Sequence, residues 1–120
     1  MISFKFSAVQ GDIIVLNGRN KMTDNKEVLL TLRYMVRDMI SKGKTRLVLD
    51  LSRTNRVDPN MTREFLDINQ ETHKQGGALV LTGVKPSVRE KWDGWRLGNT
   101  FTIVSDQKEA IQCFNRQKVP

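Results

Sequence analysis

A chain of 120 residues is of ordinary size for one domain and long enough to bury a hydrophobic core without a metal or disulfide staple. Its one cysteine, Cys113, excludes an internal disulfide and fits a reducing cytoplasm. Twenty Lys+Arg against thirteen Asp+Glu give a net charge of +7, but the basic residues are spread along the chain without a dense run. That spread reads as scattered solubility charge rather than a nucleic-acid surface, and it is compatible with an acidic protein partner.

Ile2, Phe4, Phe6 and Ala8 alternate with polar residues, the period of a half-buried strand, and no continuous apolar stretch suits a signal peptide or membrane span. The chain is therefore expected to be soluble and cytoplasmic, with no direct membrane insertion. Gly11-Asp12 marks a turn, and Ile13 to Leu16 is an apolar run that suits a strand covered on both faces. The two strands are expected to pair as an antiparallel hairpin.

Asp24 and Glu27 have the spacing of a capping box. Behind them Val28, Leu29, Leu32, Met35, Val36, Met39 and Ile40 recur at three and four, an amphipathic helix that Gly43 should end. Leu47 to Leu51 predicts a central, parallel strand. Asp58-Pro59 then opens a second helix, with aspartate as the cap and proline where a free N–H would go unused. Met61, Phe65, Ile68 and Thr72 line its inner side, and Gly76-Gly77 stops it. Ala78 to Leu81 is a further buried strand. Ser87 with Glu90 predicts a capping box for a short helix carrying Val88, Trp92 and Trp95 on one face. Phe101 to Val104 is the last strand, and Ser105 or Asp106 caps a final helix with Ala110, Ile111 and Phe114 inward. The tail from Gln117 to Pro120 is expected to fray.

The order β-β-α-β-α-β-α-β-α predicts one α/β domain over residues 1–120: a mostly parallel sheet, an N-terminal antiparallel strand pair and about four helices. Chemistry is absent from the pattern. His73, the sole histidine, lies mid-helix beside Lys74 and reads as a surface residue. Cys113 reads as a small core or half-exposed residue. No nucleophile stands beside a base, no ligand cluster has metal spacing, and no glycine-rich phosphate loop follows a strand. No enzyme activity, metal or cofactor is expected.

Several pieces in order carry a family resemblance: Gly11-Asp12, Ile13 to Leu16 and Gly18; Asp50-Leu51-Ser52; Asp58 at a helix start; Gly76-Gly77 and an apolar strand; Gly83-Val84-Lys85-Pro86; and Glu109-Ala110-Ile111. Together they resemble the STAS domain of bacterial anti-sigma factor antagonists over nearly the whole chain. The resemblance implies a STAS-like fold and a regulator that binds a kinase-like anti-sigma factor or another signalling protein. In that family a D-S-S-G segment opens the helix, and the kinase phosphorylates its second serine. Here the segment aligns with Asp58-Pro59-Asn60-Met61, so an amide stands where the hydroxyl would be. Thr62 replaces an apolar residue, and Asn20-Lys21 replaces an apolar-Asp pair after Gly18.

The resemblance therefore implies partner binding without phosphorylation at the usual position, through Arg56, Asp58, Pro59, Asn60, Met61, Thr62 and Arg63. Arg53, Arg56 and Arg63 would form a positive rim. Asn60 and Thr62 are expected to be exposed, with Thr62 a weak candidate for a displaced phosphoacceptor. The plainer reading of Asp58 is a helix cap alone, and that of Met61 is core alone. Competing readings are an accessory subunit of a membrane transport complex, with Trp92 and Trp95 as an apolar patch, and a diverged scaffold or ligand-binding module. Oligomeric state is left open.

Overall fold

The computed structural model describes residues 4–10, 13–18, 26–54 and 56–117. Five strands and four helices follow in order: β1 (Phe4–Gln10), β2 (Ile13–Gly18), α1 (Lys26–Ser41), β3 (Arg46–Asp50), α2 (Pro59–Lys74), β4 (Ala78–Thr82), α3 (Pro86–Gly94), β5 (Thr102–Val104) and α4 (Gln107–Gln117). The expected turn at Gly11-Asp12, the Asp24 cap, Ile2, Asn20-Lys21 and the tail beyond Gln117 lie outside the described residues.

The strands lie side by side in chain order, β1-β2-β3-β4-β5. β1 pairs antiparallel with β2, and β2 to β5 are parallel. The chain always steps in the same direction across the sheet, so right-handed crossovers place α1, α2 and α3 on one face. Strand periodicity then divides the core in two. Ile14, Leu16, Leu47, Leu49, Leu79 and Leu81 point at α1–α3, where they meet Leu32, Val36, Phe65 and Trp92. Ile13, Val15, Val48 and Val80 point to the other face and meet Ala110 and Phe114 of α4. The continuous apolar runs of β2, β3 and β4 are thus explained by burial on both sides.

Three helices end alike. The amide five residues on bonds back to a carbonyl in the last turn: Lys44 to Met39, Gly77 to Thr72 and Leu97 to Trp92, each at 2.8 Å. This is the Schellman arrangement, which needs a left-handed residue just before that amide. Gly43 and Gly76 supply it in the first two, but in α3 the position is held by Arg96 at φ +63°. A side chain there costs about 1–2 kcal/mol, partly offset by glycine's greater freedom when unfolded. Arg96→Gly is expected to stabilise the protein by about 0.5–1 kcal/mol, read as a Tm rise of about 2–5 °C.

Two expectations at α3 are corrected. The Ser87–Glu90 capping box does not start this helix. It begins two residues earlier, with Pro86 at the first position, and its cap, Lys85, makes no side-chain capping bond. The rule that placed Pro59 at a helix start applied equally to Pro86. Trp95 is not on the buried face either: it is the C-terminal cap residue of α3 and stands 38% exposed, whereas Val88 and Trp92 are buried. Leu51 and Phe101 lie just outside their strands but are buried.

Candidate functional site

The segment from Leu51 to Arg63 leaves the carboxyl end of β3 and runs into the first turn of α2. Hydrogen bonds hold its start. The Leu51 amide donates to the Thr82 carbonyl at 2.8 Å, and the Thr54 amide to the Leu51 carbonyl at 2.9 Å. Asp50 accepts the Ser52 amide on Oδ1 at 2.8 Å and the Gln107 side-chain amide on Oδ2 at 2.7 Å. Gln107 also donates to Asn17 Oδ1 at 2.9 Å, so the ends of β2 and β3 are tied to the start of α4. Gly83, at φ +66°, brings the turn after β4 against Ser52, where a Cβ would approach the serine backbone nitrogen to 2.9 Å.

Leu51, Thr54 and Val57 are buried, while Ser52, Arg53 and Arg56 face outward. Every third residue therefore pins the loop. Asp58 then caps α2: its side chain accepts the Met61 amide at 2.8 Å, and Pro59 takes the first helical position. Asn60 is exposed one residue further on, and Arg63 is exposed beside it. The first turn of α2 holds no acidic residue.

The structure thus brings five sequence candidates together at the surface: Arg56, Pro59, Asn60 and Arg63, with Asp58 half-buried. Arg53 lies on the same loop. Asn55 is outside the described residues. Met61 is buried, as its place at the head of the core stripe allows. The expectation that Thr62 is exposed is overturned. It is 2% exposed, and its hydroxyl accepts a hydrogen bond from the Trp92 indole N–H at 3.0 Å. The cause is that α2 has a helix on each side: Thr62 points at α3, and Glu64 points at α1. A kinase could reach the Thr62 hydroxyl only after this contact was broken.

Three links across the fold have no local sequence signal: Thr62–Trp92, Gln107–Asp50 and the pair between Arg33 and Glu64. In the last, Arg33 donates from Nε to Oε1 at 3.0 Å and from its terminal nitrogen to Oε2 at 2.7 Å. Hydrogen bonding to Glu64, reinforced by its charge, holds the Arg33 pKa above its ordinary value. One clue to Glu64 was present, since it occupies an apolar-stripe position beside Phe65, where a charge needs a partner. The buried hydroxyls of Thr54 and Thr82 find no partner among the described residues. Among those residues there is also no group of three or more His, Cys, Asp or Glu able to hold a metal, and no helix long and apolar enough to cross a membrane.

Four parallel strands behind an antiparallel opener, with three helices on one face and one on the other, define an α/β protein of STAS architecture. A family model described as the STAS domain matches residues 11–110, and the chain belongs to that family. A Bordetella bronchiseptica protein named as an anti-sigma factor antagonist, BtrV, is 29% identical over 75 residues; the match covers 62% of this chain and only 65% of that protein. The crystal structure of a Thermotoga maritima protein named likewise has a TM-score of 0.79 at 23% identity, covering 91% of this chain and 92% of that one. The Bacillus cell fate determinant SpoIIAA, solved in its phosphorylated form, has a TM-score of 0.72 at 18% identity, covering 92% and 98%. At these identities the structural likenesses establish the fold.

Proposed function

We propose that the protein is a non-enzymatic regulator of the anti-sigma factor antagonist type: a single STAS-like domain over residues 1–120 that works in the cytoplasm by binding a kinase-like anti-sigma factor. The surface is the β3–α2 loop and the first turn of α2. Arg53, Arg56 and Arg63 form its positive rim, and Asn60 stands exposed between them along the chain. Met61 and Thr62 support this surface from beneath, and their part in partner binding is to hold the turn in place.

The observation that carries the proposal is the position of Asn60. It lies one residue after the proline of a helix start that Asp58 already caps, with its side chain in solvent. An amide there accepts no phosphoryl group, and it adds no charge to an interface that arginines make favourable for an acidic partner. Burial of the Thr62 hydroxyl against Trp92 supports the same conclusion, because the neighbouring hydroxyl is inaccessible to a kinase. Binding is then constitutive, controlled by the amounts of the partners.

Asn60→Asp tests this. A carboxylate in the first turn interacts favourably with free helix N–H groups, so stability should hold or rise by about 0.3–1 kcal/mol. Partner retention should fall at least about tenfold, because negative charge enters the contact. The measurement is capture from the native cell by the wild type and the variant, with mass spectrometry of what is retained. A kinase-like ATPase held by the wild type and lost by the variant is expected. If both retain the same protein, or neither retains a regulator, the anti-sigma reading is wrong.

One observation favours a second reading as a transport accessory subunit. Trp95 is partly exposed at the end of α3 and offers an apolar docking point, although Trp92 is fully buried and offers none.

A further inference from the structure

A groove of about 710 Å³ lies between α1 and α2, and its two walls differ in charge. Val36, Ile40 and Ile68 contribute its apolar lining. Arg37 stands on the α1 wall; Asp67 and Glu71 stand on the α2 wall, with Lys74 beyond them in its last turn, and all four are exposed, so the α2 wall stays net acidic with Glu64 counted. Arg33 and Glu64, also in the lining, are already joined across the groove. Arg37 and Glu71 make no ion pair with any described residue. The outer side of α1 further exposes Leu30 (44%) and Tyr34 (68%), one turn apart. These two, with Trp95, are the large hydrophobic residues exposed among those described.

We propose that this face pairs with the same face of a second copy of the chain, about a two-fold axis running parallel to α1 and α2. The charge pattern selects both the occupant and the axis. Each helix connects two neighbouring parallel strands, so α1 and α2 run in the same direction, and the Arg33–Glu64 pair fixes which of their turns are level. An axis parallel to the helices lays α1 of one copy over α2 of the other. Arg37 sits one turn beyond Arg33, and Asp67 about one turn beyond Glu64. The rotation therefore sets Arg37 of each copy against Asp67 and Glu71 of the other, and the pairing occurs twice by symmetry. An axis across the helices would instead set α1 against α1 and arginine against arginine, which repels. Leu30 and Tyr34, exposed in the single chain, supply apolar surface toward the partner's groove, a pattern of buried aromatic anchor and charged rim.

This inference goes beyond the proposed partner binding and does not depend on it. The full chain is tested by sedimentation equilibrium from about 1 µM to about 1 mM. A reversible monomer–dimer equilibrium is expected, weakening as salt is raised from about 50 mM to about 500 mM. Arg37→Glu and Glu71→Arg should each weaken the dimer at least about tenfold, and the two together should recover part of that loss, because the swapped charges attract each other again while Asp67 still repels the new carboxylate. Tyr34→Ala should weaken the dimer as well. Each variant is exposed, so its circular dichroism and the Tm measured at the lowest concentration should match the wild type. A chain that stays monomeric throughout overturns the proposal and leaves the groove to a different protein. A double variant no tighter than the singles overturns the proposed axis and its charge pairing.

Discussion

Replacing Trp92 with alanine is expected to destabilise the protein by about 3–5 kcal/mol, a large part of the stability of a typical domain. Trp92 is completely buried. It meets Phe65 edge-on, with ring centroids 6.5 Å apart at 86°, and Phe101 at 4.8 Å and 40°. Alanine removes both ring contacts, opens a cavity between α2, α3 and the sheet, and leaves the buried Thr62 hydroxyl without its donor. Trp92→Phe separates these effects. It keeps most of the apolar volume but loses the indole N–H, at a cost of about 1–2 kcal/mol. Urea denaturation followed by circular dichroism measures both. Fluorescence adds a check, since the chain has two tryptophans and the other, Trp95, is partly exposed. The phenylalanine variant should emit as a solvated indole in the folded state. If Trp92→Ala costs less than about 1 kcal/mol, the tight core described around it is wrong.

The second large effect falls on one of two adjacent glycines. Gly77→Ala is expected to cost about 3 kcal/mol or more, because its Cβ would overlap the backbone carbonyl of Thr45. That carbonyl also accepts the Ala78 amide at 2.9 Å, which joins the start of β4 to the residue before β3. Neither side can yield without shifting a central strand. Gly76→Ala has open space around the new methyl, and its cost comes from the φ of +84° alone. It should be about 1–2 kcal/mol. Thermal melts of the two variants rank them, and equal losses would contradict the close approach at Thr45.

These glycines also show what the sequence could reveal. Gly76-Gly77 reads as a helix stop from composition, and the helix does stop there, but the sequence treats both residues as one signal. Only the neighbour in space, Thr45, separates a conformational role from a steric one. Strand parity and helix spacing were legible because each depends on one element and a uniform core. Asp58 as a cap was legible because capping is local. Thr62 was not: whether a helix position is buried depends on what lies to either side, and α2 is flanked by α1 and α3. The same limit hid the Arg33–Glu64 and Gln107–Asp50 links, whose partners are 31 and 57 residues apart. Asn60 was placed by the resemblance to the family motif together with the cap, and it is exposed.

The uneven distribution of helices over the sheet has a consequence during synthesis. Three helices cover one face, while among the described residues α4 alone covers the other, through Ala110 and Phe114 over Ile13, Val15, Val48 and Val80. All strands and the first three helices leave the ribosome before Phe114 does. A nascent chain at that point can close one layer of core, but it still carries a bare apolar sheet surface, the kind of surface that chaperones bind and that aggregates when unprotected. Closure of that face falls to α4, and Gln107 at its start reaches back to Asn17 and Asp50 to set it in place. The second layer of core therefore waits on α4, far along the chain from the loop proposed to meet the partner.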